Sequence, residues 1–386
     1  MRGKIVTAAI AGALALAASG ANDARACGGC FVRPRPTSQV GTVVTDHRMI
    51  FAVSAAQTTL YDQIEYSGDP AEFAWVLPIQ GPVTLGVSSN QLFTVLDQAT
   101  QANILAPPYP CPTCNCAARG GGFPGGGGTA GPSADGADAG AAVIVISQQV
   151  VGPYETVQLH PSSTSDTAAL TAWLQANSYS IPASIDPVIA AYVNEGFDFL
   201  AIRLVPGQGV QSMRPISVTT AGGALSLPLR MVAAGTGASV GITLWVVSDG
   251  RYEPQNFASF TIDPASLVWD WSAGGSNYAT LRAQKEQALN NQAWQIESSL
   301  DLSPYSIESP VLQDPMASSY IAAPAQDGGA GLSPIEARSR DLNTLFPSGG
   351  SNVRVTRMRA DLSQAALATD LVLQAAANQS ALSNVY

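Results

Sequence analysis

The sequence predicts an α+β fold: antiparallel, β-rich sheets with several short helices, interrupted by a Gly-rich insertion that its composition predicts to stay disordered. Three observations lead there. Period-two alternation of apolar residues dominates the ordered stretches, helical spacing recurs only over short runs, and strands and helices do not alternate as regular βαβ units. No internal repeat is present.

The first elements are strands. Met49 to Ser54 and Thr58 to Tyr66 flank Ala55-Ala56-Gln57, and Ser67-Gly68-Asp69-Pro70 turns into a third strand, Glu72 to Ile79. Leu60, Ile64 and Tyr66 alternate with Tyr61, Gln63 and Glu65, the pattern of a half-buried antiparallel meander. A helix follows, capped by Ser88 or Ser89, with Leu92, Val95, Leu96 and Ala99 at helical spacing. Composition then breaks. Pro107 to Pro112 is proline-rich, and Arg119 to Ala141 is mostly glycine with alanine, serine and aspartate, too little apolar surface to offset the entropy of ordering.

Order resumes with strands at Val143 to Ile146 and Glu155 to Leu159. Ser165 caps a helix carrying Leu170, Trp173 and Leu174, and a second helix around Ile185 to Glu195 stops at Gly196. Strands are expected at Phe197 to Val205, Ile216 to Thr220, Leu225 to Met231, Val240 to Ser248 and Phe257 to Ile262. Ser276 opens a helix through Leu289, and Trp294 to Glu297 reads as a strand. Leu300 to Leu332 reads as mostly irregular. Ser333-Pro334-Ile335-Glu336 has the form of a capping box starting a helix towards Phe346, with strands at Val353 to Arg359 and Leu371 to Leu373. The expected organisation is a signal peptide over 1–26, a β-meander plus helix over 27–110, and a Cys cluster with the Gly-rich insertion over 111–142. A main α+β region over 143–300, an irregular loop over 301–332 and a C-terminal helix and strands over 333–386 complete it.

The amino terminus reads as a secretory signal. Arg2 and Lys4 supply the positive region, Val6 to Ala18 the apolar run, and Ala24-Arg25-Ala26 the A-x-A cleavage pattern. The apolar run is shorter than the roughly 20 residues a spanning helix needs. The mature chain is expected to begin at Cys27, in the periplasm or outside the cell. Lipid anchoring at that cysteine is the weaker alternative, because Arg25 stands where a lipoprotein signal has a small residue. Cleavage there leaves 15 basic and 27 acidic residues, a net charge of −12, with Lys285 the sole lysine. Such a chain lacks the basic surface that nucleic acid or anionic lipid requires. No later segment has the length and apolarity of a transmembrane helix, and no motif calls for a cofactor.

The cysteines carry the strongest chemical signal. Cys27 and Cys30 form one C-x-x-C pair, and Cys111, Cys114 and Cys116 a C-x-x-C-x-C cluster. In an oxidising compartment these are disulfide candidates; the alternatives are a metal held by Cys27, Cys30, Cys111 and Cys114, or a redox-active pair. Only His47 and His160 are available as histidine bases. Ser162 and Ser163 follow His160, and Asp46 adjoins His47 but points to the other face of a strand. No nucleophile elbow or His-Glu-x-x-His pair accompanies them, so each reads as a surface or turn histidine. Asp69 and Glu72 flank a turn and read as turn carboxylates rather than an acid–base pair. Trp269 and Trp271 are expected to pack into the core, the alternative being a platform for sugar rings. Trp75, Trp245 and Trp294 are core candidates.

Four stretches resemble the domain of unknown function 2330 family of exported bacterial proteins. They are Ala26-Cys27-Gly28-Gly29, Tyr66 to Gly81 (YSGDPAEFAWVLPIQG), the span from Trp173-Leu174 through Tyr179 and Ile181-Pro182 to Phe199, and Val355 to Leu362 (VTRMRADL) with Asp370-Leu371. The resemblance implies export and a shared architecture; it implies no activity, and the long Gly-rich insertion departs from it. The expected function is a non-catalytic binding or structural component of the cell envelope, with an envelope partner. The alternatives are a secreted hydrolase using His160 or His47, and an extracytoplasmic metal-binding protein using the Cys clusters.

Overall fold

The computed structural model describes residues 33–34, 43–67, 70–72, 74–108, 143–162, 167–177, 179, 185–206, 213–223, 225–233, 238–312 and 333–386. In chain order the elements begin with β1 (Arg33–Pro34), β2 (Val43–Val53), β3 (Gln57–Ser67), β4 (Pro70–Glu72), β5 (Ala74–Ile79), β6 (Thr84–Val87) and α1 (Asn90–Thr100). After the Gly-rich stretch come β7 (Val143–Val151), β8 (Tyr154–Pro161), α2 (Thr167–Ala176), α3 (Asp186–Asn194) and β9 (Asp198–Leu204). They continue with β10 (Ile216–Ala221), β11 (Ser226–Leu227), α4 (Leu229–Val232), β12 (Ser239–Ser248), β13 (Tyr252–Pro254) and β14 (Ala258–Phe260). The remainder is β15 (Trp269–Asp270), β16 (Gly275–Ser276), α5 (Tyr278–Ala288), β17 (Ala293–Leu302), α6 (Pro304–Leu312), α7 (Pro334–Leu345), β18 (Val353–Ser363) and β19 (Leu371–Ala375). The fold is α+β, as its patterning predicts.

Two sheets dominate. An eight-stranded sheet runs β14-β17-β18-β12-β2-β3-β10-β6, and a four-stranded sheet runs β5-β9-β8-β7. Most neighbours are antiparallel, but β12 pairs β2 in parallel, as β14 does β17. The expected three-strand meander is therefore split. β2 and β3 form the predicted hairpin, whereas the third strand leaves it and pairs with β9, Trp75 opposite Ile202. The stretch read as a strand from Leu225 to Met231 is the short β11 followed by α4, and the loop expected over 301–332 opens with α6, which carries Pro310 inside it.

The sheets face each other across one core. Met49 and Phe51 of β2, Leu60 of β3, Leu244 of β12 and Met358 of β18 meet Trp75, Leu77, Leu200 and Ile202 of the smaller sheet. On the far side of that smaller sheet, Val76, Leu159 and Phe199 bury Leu170 and Leu174 of α2 and Ile189 and Tyr192 of α3. The outer face of the larger sheet, with Ile50, Tyr61 and Trp245, is covered by α1, α6 and α7 through Leu92, Phe93, Ile307 and Leu342. Four layers result, and the central strands are apolar on both faces for that reason.

Trp245 shows how the outer helices dock. It is fully buried, its indole N–H donates to Thr100 Oγ1 at 2.8 Å, and Phe93 of α1 meets its ring edge-on. Arg48 and Arg357 lie over its ring at 5.6 and 5.2 Å. Arg357 in turn donates to Asp97 of α1 at 2.5 Å and forms an ion pair with Glu297 at 2.5 Å, with its Nε–H not aimed at that oxygen. A buried cation is thus held between two carboxylates. No helix among the described residues is long and apolar enough to cross a membrane.

Candidate functional site

Each histidine finds an aspartate on the neighbouring strand. His47 points from β2 into the core between the sheets and is fully buried. Its Nδ1 lies 3.2 and 3.1 Å from the two carboxylate oxygens of Asp62 on β3. An ionised carboxylate only accepts, so the pairing places the proton on Nδ1. Nε2 is buried without a hydrogen-bond partner among the described residues. The pair borders a cavity of about 10 Å³ walled by Met49, Trp75, Leu77 and Met231, which has room for one water molecule and none for a substrate. The expectation of a surface or turn histidine fails here, because β2 is central and its inner face is sealed by the second sheet.

His160 is the opposite case. Its Nδ1 lies 2.6 Å from Asp198 Oδ1, and the imidazole is 49% exposed while the carboxylate is 9% exposed. A carboxylate accepting from Nδ1 leaves Nε2 as the basic nitrogen at the surface. Adjacency in sequence could reveal neither aspartate: Asp62 and Asp198 come within reach only through the pairing of β2 with β3 and of β8 with β9.

The expected burial of the tryptophans divides. Trp75, Trp245 and Trp294 are buried, as expected. Trp269 and Trp271 instead occupy the small β15–β16 hairpin, and Trp271 is 53% exposed. Their rings meet at 65°, which presents no single flat platform. Trp269 is half-buried, and a two-stranded hairpin separate from the two large sheets gives the indoles no sheet interior to enter. Cys27, Cys30, Cys111, Cys114, Cys116, Asp69 and the Glu72 side chain lie outside the described residues, as does the Gly-rich insertion.

A cleft of about 500 Å³ opens at one end of the larger sheet. Its apolar floor is formed where three neighbouring strands end or begin, at Val53 of β2, Val247 of β12 and Val353 of β18, with Leu345 of α7 beside them. The rim carries Ser54, Asp249, Ser348, Ser351 and Asn352 from the connections after β2, β12 and α7, and Tyr252 from the start of β13. Asp249 is the rim's carboxylate, and among the described residues no Lys, Arg or His lines the cleft. Hydroxyls, an amide, a phenol and one carboxylate over an apolar floor suit hydrogen-bonded recognition. A second cavity of about 110 Å³ lies between the sheets near Phe51, Thr58, Leu77 and Phe197, and His160 lines neither.

Two buried acids bear perturbed titrations. Burial pushes the Asp341 carboxyl of α7 up to about 6, against the pull of Arg340, Ser88 and Tyr61. Ser88 Oγ donates to it at 2.6 Å and the Tyr61 phenol at 3.4 Å. Glu286 of α5 is pushed up to about 7 by burial and by the neighbouring Asp361, opposed by Arg282. Both anchor helices against the larger sheet. Sequence reading missed them because each sits among charged neighbours that look like a solvated helix face.

The family model described as an uncharacterized protein conserved in bacteria, DUF2330, matches residues 21–314. The chain belongs to this family. The match takes in the β2–β3 hairpin, both histidine–aspartate pairs and α5. No curated protein matches the chain. Among solved structures, a mutated baculovirus P35 after caspase cleavage is 11% identical, covering 86% of this chain and 98% of that one, with a TM-score of 0.32. A likeness that loose carries no argument about this protein.

Proposed function

We propose that this DUF2330 protein is an exported, non-catalytic binding component of the cell envelope, and that the cleft rimmed by Asp249, Tyr252 and Asn352 holds its ligand. The lining of that cleft carries the reading. It is large enough for a small molecule, floored by apolar strand ends, and supplied with hydrogen-bonding groups, with Asp249 its carboxylate and no Lys, Arg or His among the described residues that line it. Asp249 disfavours anions, so the ligand class is a neutral polyhydroxylated or amine-bearing small molecule. The signal-like amino terminus supports export, and the acidic chain supports a partner other than nucleic acid. Calorimetric titration with neutral oligosaccharides, amines and carboxylates tests it. Binding of a sugar or amine that Tyr252→Ala and Asp249→Asn abolish is the expected result; carboxylate binding, or no binding across the panel, would sink it.

A second reading rests on the His160–Asp198 pair, whose geometry suits a general base with a surface-facing nitrogen. On that reading the protein is a secreted hydrolase. Assay of ester, peptide and glycoside substrates with His160→Ala and His47→Ala discriminates the two: an activity lost with His160 overturns the non-catalytic proposal.

A further inference from the structure

Sheet edges offer unpaired N–H and C=O groups, and proteins guard them by keeping edge strands short, burying them, or placing proline and charge on them. Three of the four edges of the two large sheets follow that rule. β14 has three residues and β6 four, while β5 is buried throughout and contains Pro78. β7 is different. It ends the smaller sheet, runs nine residues without proline or charge, and exposes Ile144, Val145, Ile146 and Val150, each more than 40% accessible. Among the described residues, its one protective device is a register shift between Val145 and Ser147.

The residues of β7 also match themselves. In an antiparallel pair of two copies centred on Gln148, Ile146 of each faces Val150 of the other, Gln148 faces its own symmetry mate, and Ser147 faces Gln149. Apolar thereby meets apolar and polar meets polar. Ser147 and Gln149 share one face of the strand, opposite Gln158 and Thr156 of β8, with Gln148 on the other face. Ser147 Oγ and Gln149 Nε2 are both buried without a hydrogen-bond partner among the described residues. Across this dyad they stand opposite each other, within the reach of cross-strand side chains, so that each Gln149 amide donates to the other copy's Ser147 hydroxyl.

We propose that β7 is a homodimerisation edge: two copies of this chain join antiparallel about Gln148, fusing their four-stranded sheets into one continuous eight-stranded sheet. The surface is distinct from the cleft and does not depend on its ligand. Each chain carries a net charge of −10 over its full sequence, so copies repel at long range, yet no charge stands on β7 itself. Salt should therefore strengthen the dimer.

Sedimentation equilibrium of the full chain over a range of concentration and salt tests this. A dimer that tightens with salt is expected. Gln148→Lys sets two ammonium groups face to face at the dyad and should abolish that dimer; position 148 is exposed, so an unchanged thermal melt shows that the variant folds. Under oxidation Gln148→Cys should give a disulfide-linked dimer whose crosslinked peptide joins position 148 to itself. A chain monomeric at every concentration, a dimer indifferent to Gln148→Lys, or crosslinks mapping elsewhere would each overturn the proposal. So would a monomer whose β7 edge instead captures an added extended peptide.

Discussion

Replacing Asp341 by asparagine should stabilise the protein at neutral pH and remove part of its pH dependence. Asp341 is fully buried on α7, and its carboxyl is raised from an ordinary 3.8 to about 6, chiefly because the charged form has lost its water. A folded-state value above the unfolded one means that the native protein binds the proton more tightly. The stabilisation this provides is complete below pH 3.8 and is lost as pH rises through about 6. The rise from 3.8 to about 6 predicts a loss of about 2–3 kcal/mol between pH 4 and pH 7. Asparagine keeps a carbonyl for the Ser88 hydroxyl and never ionises, so its stability lacks that component. Urea unfolding of the two proteins at pH 4 and pH 7 reads the difference. The gap should move by about 2–3 kcal/mol in favour of the variant on going to pH 7. Parallel pH profiles would show that Asp341 is not charged at a penalty in the fold, and the reasoning would fail.

Arg357→Leu leaves Glu297, 2% exposed, and Asp97 without their shared cation, and should cost about 3–5 kcal/mol in denaturant titrations. Gly152→Ala at the β7–β8 turn forces a side chain into φ +58° and brings its Cβ to 2.8 Å from Val87, so a loss of at least about 1–2 kcal/mol is expected by the same measurement. Non-reducing peptide mapping of the protein recovered from its native host should find a disulfide joining Cys27 or Cys30 to one of Cys111, Cys114 and Cys116. Closing that loop of about 80 residues restrains the unfolded chain by roughly 4–5 kcal/mol, whereas only local bridges, or zinc on four reduced thiols, would refute the pairing.

Local chemistry was legible in the sequence because it acts over a few residues. Ser89 accepts from the Gln91 N–H at the start of α1, and Ser333 and Glu336 close a reciprocal capping box at α7. Gly196 takes φ +78° where the second helix of the main region stops. The burial of Trp75, Trp245 and Trp294 was legible too, since alternating strands with indoles on them have to bury one face. Alternation says that a strand has two faces, however, and not which strand lies beside it. Trp75 left the expected meander because its strand pairs with β9, a partner far along the chain. The same non-local pairing brought Asp62 to His47 and Asp198 to His160, sealing one histidine and leaving the other at the surface. Likewise, the floor of the cleft exists only because β2, β12 and β18 are neighbours in the sheet. The sequence by itself determined the caps of α1 and α7, the stop at Gly196 and the class of the fold; the tertiary structure alone decided the sites, because their members meet through strand order, which no local pattern encodes.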